Sequence, residues 1–327
     1  MSQAKKAVQA LISADESPCL IGPSGIGKTE VVAQIARDMG YELVPVYLIT
    51  KDPVELSGFP RINPEGFVEW VPVKIFLAGN KPKMFFFDEI THATSMVQSI
   101  AYQIFQERRC GDHLLPPNCA VLGAHNRVVD RGVHNRVPMP LRRRWWELQI
   151  EPDIEAWSTW AVGANIEPLV IAFLRFRSDL LYADSVNDEP APDPRAWAKI
   201  SRVLQHSHGN LDSDTRHTLY CGKVGEAAAV EFSAFERLYR SLPNIDSILL
   251  NPDKAPVSED PATLFAVSAA LARRISDDNI DRAITYLNRL PVEFNVYSIR
   301  DAHRRDASIA STPDFTKWAI AHQEVIF

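Results

Sequence analysis

The chain has 327 residues, 46% of them hydrophobic and 23% charged, and a formal net charge of −6. That length allows two or three domains, and the apolar fraction excludes wholesale disorder. The acidic balance excludes a surface coated in positive charge for nucleic acid and leaves room only for a local basic channel.

Four scattered cysteines, Cys19, Cys110, Cys119 and Cys221, form no CxxC pair. Neither a disulfide scaffold nor a zinc site fits that spacing, and free thiols suit a reducing cytosol. Near the start, Lys5-Lys6 followed by residues 7–14 imitates a signal peptide, but Gln9 and Ser13 interrupt the apolar run and an amphipathic helix is expected instead. No stretch reaches the ~20 apolar residues of a membrane span. A soluble, cytoplasmic protein is expected.

Pro18-Cys19-Leu20-Ile21 reads as a short buried strand, followed by a glycine loop and a helix over 28–39 that Gly40 can end. Residues 42–49 form a second strand-like run, in which Pro45 marks a bend or an edge. The irregular stretch 50–82 holds a hairpin, Arg61-Ile62 and Phe67 to Trp70 flanking Asn63-Pro64-Glu65-Gly66. Residues 84–87 are a third strand, 109–117 a short hairpin and 119–124 a fourth strand. Apolar runs of this length between helical segments imply an α/β domain over 1–150, with a central parallel sheet covered on both faces. Beyond it the pattern turns helical, with candidates at 154–162, 167–176, 194–205, 224–241, 261–275, 278–290 and 313–325. Residues 183–193 read as an acidic, proline-rich loop, and a softer boundary near 242–261 divides a helical domain at 151–245 from a helical C-terminal extension at 246–327.

Gly22-Pro23-Ser24-Gly25-Ile26-Gly27-Lys28-Thr29 matches G-x-x-x-x-G-K-[ST] in full, with a strand before it and a helix after it. Glycines let backbone N–H groups curl around phosphates without Cβ clashes, and the positive end of the following helix points at them. Lys28 is placed to neutralise the β- and γ-phosphates of a nucleoside triphosphate, and the Thr29 hydroxyl to ligate Mg²⁺. A plain glycine turn is the bland alternative, which a full match in this context disfavours. The run Met84-Phe85-Phe86-Phe87 ends in Asp88-Glu89, where open α/β sheets bind ligands. There Asp88 would hold Mg²⁺ and Glu89 would polarise the attacking water. A capped strand end is the alternative, weakened by the phosphate loop upstream. Thr50-Lys51-Asp52 has the wrong spacing for a guanine reader, so ATP is expected over GTP.

Asn126 follows the fourth strand, where an amide can reach a γ-phosphate or orient water; in isolation an Asn there is a turn former. Arg142, Arg143 and Arg144 beside Trp145 and Trp146 read equally as a solvated patch over packed indoles or as a guanidinium presented to phosphate. Arg195, in the first turn of the helix at 194–205, gains nothing from the helix dipole. An anionic partner or a surface salt bridge would each explain it.

This ordered set resembles the MoxR-type branch of AAA+ ATPases over most of the first 200 residues. The phosphate loop is similar to Walker A and FFFDEI to Walker B, and Asn126 falls at sensor 1. The run from Asn126-Arg127-Val128-Val129-Asp130-Arg131 to Pro140-Leu141-Arg142-Arg143-Arg144-Trp145 resembles the family's stretch from that asparagine to an arginine finger. Arg144 takes the finger position with Trp in place of Phe, and Arg143 stands beside it as a second candidate. Asp193-Pro194-Arg195 resembles the S-P-R of sensor 2, with Asp for Ser. Asp52 to Gly58 with Phe67 to Trp70 resembles the family's loop and hairpin facing a central pore, and 108–117 its hairpin before sensor 1. The resemblance implies an AAA+ P-loop domain with a helical lid, binding ATP and Mg²⁺. It also implies a hexameric homo-oligomeric ring in which Arg144 completes a neighbour's site, and protein remodelling beside a von Willebrand A domain partner.

Three function classes follow: an ATP-driven, chaperone-like protein remodeller, a DNA-dependent motor, and an ATP-gated scaffold with slow turnover. The acidic balance disfavours the second, although Arg142 to Arg144 and Arg304-Arg305 speak for it. Glu89 and the candidate arginines disfavour the third, because a pure switch does not require them.

Overall fold

The computed structural model describes residues 2–127, 137–185, 189–207 and 209–323. The chain divides into two compact units, Met1–Glu151 and Pro152–Phe327. In chain order the first unit runs α1 (Ser2–Ser13), β1 (Pro18–Ile21), α2 (Lys28–Met39), β2 (Glu42–Tyr47), a short α3 (Pro53–Ser57), the hairpin β3 (Phe59–Ile62) and β4 (Val68–Val71), and β5 (Lys83–Asp88). It continues through α4 (Ser95–Glu107), a second hairpin β6 (Arg109–Cys110) and β7 (His113–Leu114), β8 (Ala120–His125), α5 (Met139–Arg142) and β9 (Trp146–Gln149).

Five strands form one sheet in the order β2-β5-β8-β1-β9, and every pairing within it is parallel. The two central strands of apolar sequence, β5 and β8, are buried along almost their whole length, as parallel strands covered on both faces must be. Phe85, Phe87, Val121 and Cys19 pack with Ile104 and Phe105 of α4 in the core. Pro45 lies in β2, an edge strand, where its missing N–H breaks no ladder between two partners.

Three differences from the expected elements have physical causes. The strand expected over 42–49 ends at Tyr47, and Leu48–Thr50 winds into a 3₁₀ turn. A fifth strand, β9, was not legible: Trp146-Glu147-Leu148-Gln149 has no apolar run because it borders the sheet and needs only one partner, β1. The third difference is the helix at 95–107 joining β5 to the second hairpin, which is not among the expected elements.

The second unit is helical: α6 (Ile154–Gly163), α7 (Pro168–Phe176), α8 (Pro194–His206), α9 (Ser213–Val224), α10 (Glu226–Arg240), α11 (Ile245–Leu250), α12 (Pro261–Arg274), α13 (Ile280–Leu287), α14 (Val292–Arg305) and α15 (Pro313–Ala321). One apolar cluster centres on Phe173, Trp197, Tyr220 and Phe232. A second gathers Leu264, Leu271, Leu287, Phe294 and Ile299. Helix α12 feeds both, through Ala266 and Ala269 on one side and Leu264, Val267 and Leu271 on the other.

Helix α9 is not among the expected helices, and the helix expected over 224–241 is α10, which starts at Glu226 because Gly225 takes φ 79° and ψ 162°. A Cβ there would lie 2.4 Å from the Pro190 carbonyl oxygen, so close approach as well as conformation demands glycine. The helix expected over 278–290 is limited to Ile280–Leu287; of that expected over 313–325, α15 spans Pro313–Ala321, and residues 324–325 lie outside the described residues. Among the described residues, no helix is long and apolar enough to cross a membrane.

Candidate functional site

The parallel register brings the carboxyl ends of the strands to one edge of the first unit. Ile21 pairs with His125, Tyr47 with Asp88 and Ile21 with Gln149, so the loop after β1, the acids ending β5 and the amide after β8 share that edge. Ligands bind at this edge in open α/β sheets.

The loop 22–27 is shaped by glycines for two different reasons. At Gly22 a Cβ would lie 2.4 Å from the Ile150 carbonyl oxygen and 2.8 Å from Ile26 Cδ1, so packing forbids a side chain. Gly27 caps α2 in the left-handed region, φ 95° and ψ 23°, with nothing within 4 Å of a would-be Cβ. Here conformation alone selects glycine. The N–H groups at the start of α2 then open toward the loop, a ready seat for an anion.

Lys28 is 8% exposed. Its ammonium donates to the carbonyls of Gly22 and Pro23, each at 2.9 Å, and to Asn126 Oδ1 at 2.8 Å. Thr29 Oγ1 donates to Asp88 Oδ2 at 3.1 Å. The phosphate-loop residues, the strand-end acid and the amide 98 positions along the chain from Lys28 are thus joined by direct contacts. Hydroxyl and carboxylate oxygens side by side are the hard donor set that suits Mg²⁺.

Glu89 has a feature that residue patterns do not reveal. It sits in the left-handed region, φ 57° and ψ 39°, while its N–H donates to Asp88 Oδ1 at 2.9 Å. An L-residue held there costs about 1–2 kcal/mol, and such strain gathers at functional sites. The Glu89 carboxylate is half-buried and has no hydrogen-bond or ion-pair partner among the described residues.

His125 lies at the end of β8, 6% exposed. Its Nδ1 contacts the Asn126 carbonyl oxygen at 2.8 Å, and its Nε2 is buried without a partner among the described residues. Burial is the largest influence on this imidazole and lowers its pKa; the contact with the Asn126 carbonyl opposes that shift.

The arginine run separates into three environments. Arg142 grips Glu147 with two hydrogen bonds of 2.6 and 2.7 Å. Arg144 donates from Nε to Gln106 Oε1 at 2.6 Å and lies over the Tyr102 ring, 5.5 Å from its centroid. The Arg143 side chain is exposed and makes no hydrogen bond or ion pair among the described residues. Beneath them Trp145 is buried, edge-on to Phe105 at 5.2 Å. Trp146 instead lies 55% exposed on β9. Gln106 and Tyr102 carry only one signal in the sequence, their four-residue spacing on α4. Val128, Val129, Asp130 and Arg131, part of the stretch after Asn126, lie outside the described residues.

Arg195 belongs to the second unit. It is exposed in the first turn of α8, without a hydrogen bond or ion pair among the described residues. The two residues before it act locally: Asp193 caps the helix by accepting from the Ala196 N–H at 2.6 Å, and Pro194 occupies the first turn. Asp260-Pro261 opens α12 in the same way. The Asp-Pro pair is therefore accounted for by capping, which leaves the exposed Arg195 outside that local role.

Comparison with known proteins finds partial matches. Residues 17–144 match the AAA domain, dynein-related subfamily. The chain is 34% identical over 96 residues to a Lon protease of Brevibacillus choshinensis, a match that takes in 27% of this chain and 12% of that protein's length. The chain therefore spans a small part of this curated relative. Among solved structures, NtrX from Brucella abortus in complex with ATP is similar over 99% of this chain and 67% of its own, at 13% identity and a TM-score of 0.43. The RuvB Holliday junction branch migration motor of Thermotoga maritima is similar over 88% of this chain and 85% of its own, at 16% identity and a TM-score of 0.41. By the family match and by the five-stranded parallel sheet described above, the first unit has the fold of an AAA domain.

Proposed function

We propose that this protein is an ATP-hydrolysing motor of the MoxR type, which assembles as a hexameric ring and remodels protein partners. One observation carries the reading: Lys28 contacts Asn126 at 2.8 Å while Thr29 contacts Asp88 at 3.1 Å. A glycine turn with no ligand to hold gives no reason for a lysine, an acid and an amide from three strand ends to converge.

The site fits ATP and Mg²⁺ by its donors. The backbone N–H groups of 24–29 and the Lys28 ammonium hold the phosphates, with Gly22 and Pro23 shaping the loop, while Thr29 and Asp88 supply oxygens to the metal. When bound, Mg²⁺ draws charge from the phosphate oxygens. Glu89 accepts a proton from the attacking water, and Asn126 orients that water or the terminal phosphate. Arg144, or Arg143 beside it, supplies positive charge to a neighbouring subunit's site, where an arginine finger is worth about 10³–10⁵ in turnover. Arg195 is the second unit's candidate phosphate ligand.

The remodelling role is supported by the hairpin of β3 and β4. Phe59, Ile62, Phe67 and Val68 are each more than half exposed, and the hairpin's Arg61 and Glu69 pair with one another. Such an apolar edge suits polypeptide better than a phosphate backbone. The Brevibacillus relative, a protease by name, points the same way. A von Willebrand A domain protein remains the proposed partner by family resemblance alone.

The test is turnover with Mg²⁺ in wild type, Lys28→Met and Glu89→Gln. Lys28→Met should lose nucleotide binding, and Glu89→Gln should bind ATP without hydrolysing it. Unchanged hydrolysis in Glu89→Gln removes Glu89 from the mechanism, and strong, salt-sensitive stimulation by DNA replaces the remodeller with a nucleic-acid motor.

A further inference from the structure

The four cysteines have no CxxC spacing that points to zinc. The fold supplies a different arrangement in the second unit. His217 and Cys221 stand four residues apart on α9, on one face of the helix. Glu226 opens α10 just after the turn at Gly225. The imidazole Nε2, the thiol sulfur and a Glu226 carboxylate oxygen all lie within 4.8 Å of one another. We infer that these three side chains form a binding site for Zn²⁺ or another thiophilic divalent cation, clipping the last turns of α9 to the first turn of α10.

The distances fit before any ion is placed. Cys221 Sγ is 3.4 Å from His217 Nε2, and tetrahedral zinc with ordinary bond lengths asks for about 3.5 Å between those atoms. His217 Nε2 lies 4.0 Å from Glu226 Oε1, and the Glu226 side chain, 79% exposed, is free to turn inward by the remainder. A sulfur, a nitrogen and an oxygen ligand form the borderline set that zinc accepts, with the fourth position open to water.

The imidazole is also oriented for the task. His217 Nδ1 lies 3.0 Å from Ser233 Oγ on α10. With that N–H donating to the hydroxyl, the Nε2 lone pair faces the thiol and the carboxylate. Metal-binding histidines are held in this way through their other nitrogen. The remaining thiols are unsuited, since Cys19, Cys110 and Cys119 are buried. Ligation forms a bond from sulfur to the metal and releases the thiol proton to solvent, with no change of oxidation state.

The experiment titrates the full chain with Co²⁺ in the absence of nucleotide. One equivalent should produce a near-ultraviolet thiolate-to-cobalt charge-transfer band that Zn²⁺ then bleaches. Cys221→Ser should abolish the band with far-ultraviolet circular dichroism unchanged, while Ser233→Ala should weaken affinity by about 10–100-fold. Glu226→Gln alters only an exposed side chain, so folding is safe; it should keep the band and bind more weakly. Absence of a band in wild type, a band that survives Cys221→Ser, or unchanged affinity in Glu226→Gln overturns the site.

Discussion

Replacing Glu89 by glycine should make the protein more stable and leave it unable to hydrolyse ATP. The residue holds φ 57° and ψ 39°, which costs an L-residue about 1–2 kcal/mol and glycine almost nothing. Glycine returns about 0.5–1 kcal/mol of that gain through the extra freedom of the unfolded chain. The Glu89 carboxylate has no partner among the described residues, so its removal breaks no contact there. A net gain of about 1 kcal/mol follows, or roughly 2–4 °C in the melting of a unit this size. Urea and thermal unfolding of wild type, Glu89→Gly and Glu89→Gln provide the comparison, with turnover measured on the same samples. Both variants should lose hydrolysis, and only the glycine form should gain stability. A glycine variant less stable than wild type would refute the strain, and one that still hydrolyses ATP would refute the role.

The other substitutions test neighbouring parts of the site. Gly22→Ala should destabilise the first unit by about 1–3 kcal/mol in urea unfolding, because its Cβ meets the Ile150 carbonyl. Gly27→Ala should cost about 1–2 kcal/mol through conformation alone, with no displacement of Ile150 in a crystal structure. Arg144→Ala should leave ATP binding intact and lower turnover by about 1,000-fold or more, whereas a larger loss in Arg143→Ala would move the finger by one residue. Burial lowers the pKa of His125 below the ordinary imidazole value of about 6.5. Its contribution is therefore present above that pH and lost as pH falls through the folded value, with a slope of up to about 1.4 kcal/mol per pH unit. His125→Gln should flatten this dependence in unfolding measured from pH 7 to pH 5.

What was legible in the sequence was what local chemistry dictates. The phosphate loop announces itself because backbone curvature, charge and metal ligation each require a residue type at fixed spacing. The acids after Phe87 announce themselves because a fully buried strand has to end where water begins. Strand β9 carried no such signal: one neighbour is enough at the edge, so polar residues are tolerated and the run looks like a loop. The need for glycine at 225 has no local signal either, since the Pro190 carbonyl that excludes a side chain there comes from 35 residues away. Asp193-Pro194 shows the opposite difficulty. The pair fits a functional motif and an ordinary helix cap equally well, and only Asp260-Pro261, doing the same job without an arginine, separates the two.

The arginine run shows what a structure adds to residue types. Three identical side chains in a row were evenly divided between a solvated patch and a phosphate ligand. Arg142 is committed to Glu147 of β9 through two charge-assisted bonds, so its release would leave an anion beside the sheet. Arg143 is exposed and uncommitted. Arg144 lies between these extremes: Gln106 is neutral, and an exposed hydrogen bond to a neutral amide is exchanged for water at little net cost. Both of its partners project from α4, which follows the strand carrying Asp88 and Glu89. A guanidinium held weakly by neutral groups is oriented before it is needed and can still be given up to phosphate. Replacing Gln106 by Glu should therefore suppress turnover while sparing ATP binding, because an anionic partner would hold Arg144 in place. If Gln106→Glu hydrolyses ATP at the wild-type rate, Arg144 does not move to the phosphate and Arg143 is the residue that does.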